Sequence, residues 1–280
     1  MSIFTNLQDE AFAERDKETL VYIEKFIDPS RDLVLTSTEL LAASLTSYKK
    51  YVGKVRDVYT NDSFVIIVAT DRQSAFDRLL AAIPFKGQVL NLTSRWWFEK
   101  TRWIVPNHFL SSPHANVSIC KKCTVFPIEF VMRGYITGTT STSMWTNYLK
   151  GVRNYCGHIL PEGLQKNQKL DSIKLTPTTK DDTHDELISG EEIVSSGRMS
   201  FDDFELCKKY SMQLFEYSQQ EASQKGLILV DTKYEFGKDS SGKILLVDEI
   251  QTPDSSRYWV ASTYQSRFDA GLVSSRDYLP

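Results

Sequence analysis

Leu229-Val230-Asp231-Thr232-Lys233-Tyr234-Glu235-Phe236-Gly237, followed by Val247-Asp248-Glu249-Ile250, is the stretch on which the reading of this chain turns. Side chains alternate across a strand, so Asp231, Lys233 and Glu235 fall on one face. Gly237-Lys238-Asp239-Ser240-Ser241-Gly242 is rich in turn residues and returns the chain into a partner strand over 243–247. Asp248 and Glu249 close that strand, so carboxylates and a lysine gather at one sheet. Paired carboxylates suit Mg²⁺, which takes one or two of them together with nucleotide phosphates. A lysine beside them meets a phosphate as a point charge. The competing reading is a solvated hairpin face with ordinary cross-strand ion pairs.

Upstream, residues 201–225 form the clearest helix, opened by Ser200 with Asp203 and stopped by Gly226. Val125 to Arg133 reads as a strand, as do 54–59 and 64–69, the last two joined by Thr60-Asn61-Asp62. A helix is expected over 88–103 with Leu92, Trp96 and Trp103 packing inward. A short amphipathic helix is expected over 10–27, where Leu20, Ile23 and Ile27 share a face. The segment 151–185, rich in Gly, Pro, Asn, Thr and Lys, reads mostly as loop. Strands first and mixed elements later favour an α+β fold with a mostly antiparallel sheet.

Three further segments carry chemistry. Gly53-Lys54-Val55-Arg56-Asp57-Val58-Tyr59 sets Lys54 and Arg56 on one face of a strand opened by a glycine, which suits a loop over a triphosphate. The bland alternative is a charged edge strand. Phe126-Pro127-Ile128-Glu129-Phe130-Val131-Met132-Arg133-Gly134-Tyr135-Ile136-Thr137-Gly138-Thr139 offers a guanidinium, hydroxyls and free amides to a phosphate monoester. Its alternative is a turn and the N-cap of a short helix holding Met144 and Trp145. Asp71-Arg72-Gln73-Ser74-Ala75-Phe76-Asp77 is a polar loop after a buried strand, where substrate contacts are common. No G-x-x-x-x-G-K-[ST], G-x-G-x-x-G or H-R-D motif occurs, which argues against a standard P-loop and an ordinary protein kinase.

A net charge of −3 without basic runs gives no nucleic-acid footprint. The longest apolar stretch, residues 64–69, is too short to cross a bilayer, and the N-terminal residues resemble neither a signal nor a transit peptide, so a cytoplasmic protein is expected. Cys120 and Cys123 form a C-x-x-C, but the nearby Cys156 and His158 do not complete a zinc spacing, and reduced thiols are expected.

Together these segments resemble the SAICAR synthetase family. FPIEFVMRGYITGT and LVDTKYEFG look like its two signature stretches. GKVRDVY, DRQSAFD, TPTTKDDTHDELIS and DEIQTPDSSRYW resemble four further family segments, in the family's order. The resemblance runs from about Leu35 to Asp277. It implies a two-lobed protein with a kinase/ATP-grasp-like nucleotide lobe over 35–125, a second α/β lobe over 126–280, and a helical extension over 1–34. It also implies ligation of L-aspartate to carboxyaminoimidazole ribonucleotide (CAIR) with ATP and Mg²⁺. Charge and hydropathy give no nucleic-acid or membrane partner, and a monomer is the expectation, although the sequence carries no signal of oligomeric state. By the same resemblance Lys54, Arg56, Lys233 and Glu235 meet ATP, and Glu235 with Asp248 holds the metal. Lys233, Asp71 and Asp77 serve catalysis. Ser74, Arg133, Thr139, Lys180, His184, Asp185 and Arg257 bind substrate. Two rival readings are a small-molecule kinase that needs no aspartate and a non-catalytic nucleotide-binding protein.

Overall fold

The computed structural model describes residues 34–39, 45–75, 78–180 and 186–272. The helix expected over 10–27 lies outside them. The chain divides into two units, the first comprising the described parts of 1–102 with 107–124 and 239–243, the second comprising 103–106, 125–238 and 244–280.

The first unit is built on the apolar run expected to be a buried strand. Strands β1 (Lys49–Val52), β2 (Arg56–Thr60) and β3 (Phe64–Ala69) form a meander, with Asn61 Oδ1 accepting from the Ser63 and Phe64 amides at the β2–β3 turn. A small hairpin of β4 (Arg72–Ala75) and β5 (Arg78–Ala82) follows, so the segment expected as a polar loop is strand on both sides of residues 76–77. Helix α1 (Lys86–Thr101), β6 (Phe109–His114) and β7 (Val117–Lys121) complete the unit. The antiparallel sheet runs β1-β2-β3-β7-β6. Its core joins Tyr59, Ile66, Val68, Val117 and Ile119 to Leu45 and Leu110.

Helix α1 is turned otherwise than expected. Its buried face is Gly87, Leu90, Asn91, Ser94, Trp97, Phe98 and Thr101, whereas Leu92, Trp96 and the following Trp103 are exposed. Close approach explains the choice. A Cβ at Gly87 would fall 2.2 Å from the Ala69 carbonyl oxygen, so only glycine lets the helix start there. Asn91 then donates to Ser112 Oγ and the Ala115 carbonyl and accepts from Ser118 Oγ, fixing the polar part of that face.

The second unit is organised by long strands. Strand β8 (Thr124–Tyr135) leads through α2 (Met144–Leu149) to the short pair β9 (Asn154–Tyr155) and β10 (His158–Ile159). Next come β11 (Lys169–Leu175), β12 (Thr178–Thr179), α3 (Gly190–Ser195) and α4 (Phe201–Ser223). Strands β13 (Leu227–Lys238), β14 (Ile244–Val247) and β15 (Ser256–Val260) precede the last helix, α5 (Ala261–Asp269). The sheet runs β11-β8-β13-β14, with β12 also on β8 and β15 also on β13. The described part of the segment, 151–180, is mostly loop as expected, but it carries β11, an otherwise polar strand whose Leu170 and Leu175 are buried. Ser200 caps α4 by accepting from the Asp203 amide, and Gly226 follows it at φ 71°, as the punctuation indicated. No described helix is long and apolar enough to cross a membrane.

Candidate active site

Strands β8 and β13 lie side by side and carry two charged clusters on one face. The first surrounds Lys233. Its ammonium donates to Glu235 Oε1 at 2.9 Å and to Glu129 Oε1 at 2.8 Å. Glu129 Oε2 accepts from Thr178 Oγ1 at 2.8 Å, the cross-strand neighbour on β12. The second oxygen of Glu235 is taken by the Lys180 ammonium. Burial works against the Lys233 charge, but attraction from Glu235, Glu129 and Asp248 outweighs it and holds the ammonium well above its ordinary range. Asp248 sits directly after β14 at φ 67°, a left-handed conformation that aspartate tolerates better than most residues. Such strain concentrates at functional sites.

The second cluster is two residues back along β13. Asp231 is 5% exposed and sits between two guanidiniums. Arg257 Nε donates to its Oδ1 at 2.9 Å and Arg257 Nη2 pairs with Oδ2 at 2.7 Å. Arg133 Nη1 reaches Oδ2 at 3.3 Å while its Nε donates to Thr176 Oγ1 at 2.9 Å. Both arginines border a pocket of about 280 Å³, with Thr140, Thr142, Ser255 and Ser256 also on its wall. Gly138 approaches closely at φ 102°: a Cβ there would fall 2.4 Å from Ser143 Cβ and 3.6 Å from Arg257 Nη1. Thr139 is exposed on the same turn, and the hydroxyls on the wall are those of Thr140 and Thr142. The short helix weighed as an alternative is present as well, since Ser143 caps α2.

In the first unit, Gly53 and Lys54 form the turn between β1 and β2, so Lys54 precedes the strand on which Arg56 lies. The buried Arg72 guanidinium clamps this turn from behind, donating to the Gly53, Lys54 and Thr36 carbonyls and to Asp57 Oδ1. Lys54 itself is exposed and Arg56 half-buried. Asp71 was expected to serve catalysis. It is fully buried, with Oδ2 accepting from the Leu35 amide at 2.7 Å and Oδ1 from the Gly87 amide at 2.8 Å. That geometry makes it a backbone clamp. Ser74 is half-buried opposite Leu79 in the β4–β5 hairpin. Asp77, His184 and Asp185 lie outside the described residues.

Of the residues singled out from sequence, Lys180, Lys233 and Glu235 are brought into contact, with Asp248 near enough to act on the Lys233 charge, and Arg133 and Arg257 share one carboxylate. Glu129, Thr178, Arg72 and Asp57 were not singled out. Glu129 stood inside a quoted motif as the one acid in an apolar strand, which was its only signal.

The carboxylates can hold a divalent cation. Among the described residues no group of three or more His, Cys, Asp or Glu is set to bind a metal by itself. Mg²⁺ does not need one, because phosphates and water complete its shell. Glu235 and Asp248 supply the hard oxygen donors that such a cation takes.

Comparison with known proteins agrees with this arrangement. The SAICAR synthetase family model matches residues 49–275. A phosphoribosylaminoimidazole-succinocarboxamide synthase of Legionella pneumophila is 61% identical over 232 residues, covering 83% of this chain and 74% of its own. The SAICAR synthase of Saccharomyces cerevisiae in complex with SAICAR superposes with a TM-score of 0.71 at 31% identity, over 82% of this chain and 81% of that one. A SAICAR synthetase in complex with ADP superposes with a TM-score of 0.64 at 28% identity, over 80% of this chain and 92% of that one. With its signature strands, its two charged clusters and these relatives in agreement, the chain belongs to the SAICAR synthetase family.

Proposed function

We propose that the chain is an ATP-dependent carbon–nitrogen ligase that joins L-aspartate to the carboxylate of CAIR, giving SAICAR, ADP and phosphate in purine biosynthesis. The observation that carries this reading is the pairing, on one strand, of a two-arginine pocket with a lysine held among carboxylates. One cluster suits a phosphate monoester and the other a magnesium nucleotide.

A carboxylate resists attack by an amine, so the reaction is read in two transfers. A CAIR carboxylate oxygen attacks the γ-phosphorus of ATP, and ADP leaves. The aspartate amine then attacks the acyl carbon, the bond to phosphate breaks, and the amine loses a proton. Lys233, held as an ammonium, is placed to offset charge that builds on the transferring phosphoryl group. Lys54 and Arg56 are read as phosphate contacts, with Arg72 keeping their turn in place. Arg133 and Arg257 are read as the grip on the ribonucleotide phosphate, pre-aimed by Asp231. Glu235 and Asp248 would hold Mg²⁺, which neutralises phosphate charge when bound. Asp71 already accepts two amide hydrogen bonds, so the departing phosphate is the better acceptor for the amine proton. Most of the rate enhancement then comes from positioning and charge stabilisation.

The test is ADP release with Mg²⁺ and ATP, adding CAIR and L-aspartate separately and together. Release that needs both, matched by succinocarboxamide formation, is the expected result. Release with CAIR alone, indifferent to aspartate, would leave a kinase instead.

A further inference from the structure

Glu235 is 2% exposed, and each of its carboxylate oxygens is taken by a different ammonium, Oε1 by Lys233 and Oε2 by Lys180. The two lysines are held in different ways. Lys233 lies on the same strand, β13, and is tied a second time to Glu129, whose other oxygen accepts from Thr178 Oγ1. Lys180 directly follows β12, and its side chain is 48% exposed against 29% for Lys233. Among the described residues its ammonium meets Glu235 alone. One counter-charge is locked into the sheet, and the other stands at the surface.

A carboxylate this deeply buried needs a counter-charge in every state of the protein. Lys233 is shared with Glu129, so Lys180 completes the pairing of Glu235. A divalent cation cannot take Oε2 while the ammonium stays, because positive charges crowded on one oxygen repel strongly away from bulk water. Lysine is suited to leaving. Its charge sits on a flexible four-carbon stem and is strongly hydrated once it reaches solvent.

We propose that Lys180 holds the metal's place: it neutralises Glu235 Oε2 in the metal-free protein and is exchanged for the divalent cation. Lys180 thereby sets the metal affinity of the site. The inference rests on the reading of Glu235 as a metal ligand given above.

The experiment titrates the full chain with Mn²⁺ alone, without nucleotide, and follows the electron paramagnetic resonance signal of the free ion. Lys180→Met is expected to bind Mn²⁺ about tenfold or more tightly than the unsubstituted chain, since no ammonium has to be displaced. Lys238→Met is the control for charge in general, because Lys238 ends β13 and pairs with Asp203 instead. It should change the affinity less than about threefold. A second readout needs no substitution. Acetylation of Lys180 by an N-hydroxysuccinimide ester, followed by peptide mass spectrometry, should rise about threefold or more with saturating Mn²⁺, while the exposed Lys150 is unchanged. A Lys180→Met chain that gains no more than Lys238→Met overturns the exchange. So does Lys180 labelling that the metal leaves unchanged or lowers. Glu235→Gln separates the two layers of the argument. If it leaves Mn²⁺ binding intact, the metal reading of Glu235 falls and the exchange with it. If it abolishes binding while Lys180→Met gains nothing, the exchange alone falls.

Discussion

The two charged clusters on β13 are adjacent, yet they are built in opposite ways. Around Asp231 two guanidiniums share one carboxylate at the wall of a pocket that Asp254 and Lys233 also line. Around Lys233, two ammonium groups meet Glu129 and Glu235 in direct pairs, with the field of Asp248 acting on Lys233 as well. The strand rises about 7 Å between Asp231 and Lys233, so a carboxylate held by arginines and a lysine held by carboxylates sit within one side chain's reach. On the proposed function, the contrast lets one sheet face sort two polyanions, a phosphate monoester going to the arginines and a triphosphate with its cation to the carboxylates.

The largest effect is expected where the contrast is broken outright. Lys233→Met leaves Glu129 and Glu235 without their shared counter-charge, and kcat/KM should fall by about 1000-fold. Its urea midpoint should correspond to a loss of about 3 kcal/mol, because removing one partner strands buried charge. Next, Arg133→Lys removes the planar fork but keeps the charge. It should raise the KM for CAIR about 30-fold while the KM for ATP moves less than about 3-fold, as steady-state titration of each substrate would reveal. A uniform rise in both would erase the division between the clusters. A smaller change is expected from Thr178→Val, which takes the hydroxyl from Glu129 Oε2. It should cost about 1 kcal/mol in denaturant titration and leave the KM for CAIR unaltered.

The smallest effect lies away from both clusters and serves as their control. Asp239 accepts from Ser241 Oγ, the Ser241 amide and the Lys243 amide, which holds its carboxyl down at about 2. A depressed folded-state value contributes stability that is present above the ordinary carboxylate range and is lost as pH falls through the folded value. Asp239→Asn should therefore flatten the stability profile between about pH 4 and 2 and leave both KM values unchanged at neutral pH.

Much of this sheet face was legible in the sequence because period-two alternation assigns side chains to faces. Asp231, Lys233 and Glu235 do share one, and Ser200 and Gly226 do bound the helix before them. Alternation assigns no partners. Glu129 lies 104 residues from Lys233, and only strand adjacency makes them neighbours. The same limit hid Arg72, whose contacts reach 36 residues back to Thr36. Helix α1 shows a different limit. It has two apolar stripes, and hydrophobicity alone favoured the one with the larger residues. The close approach at Gly87 and the hydrogen bonds of Asn91 bury the other. Strand β11 went unread because Lys, Asp and Ser dominate it and only Leu170 and Leu175 are buried.

The most direct test of the account is calorimetric titration of two variants with two ligands, CAIR and ADP with Mg²⁺. The division of labour predicts that Arg257→Lys weakens CAIR binding about tenfold or more and leaves Mg·ADP unchanged, while Glu235→Gln does the reverse. If Glu235→Gln weakened CAIR and left Mg·ADP untouched, the assignment of the two clusters would be contradicted.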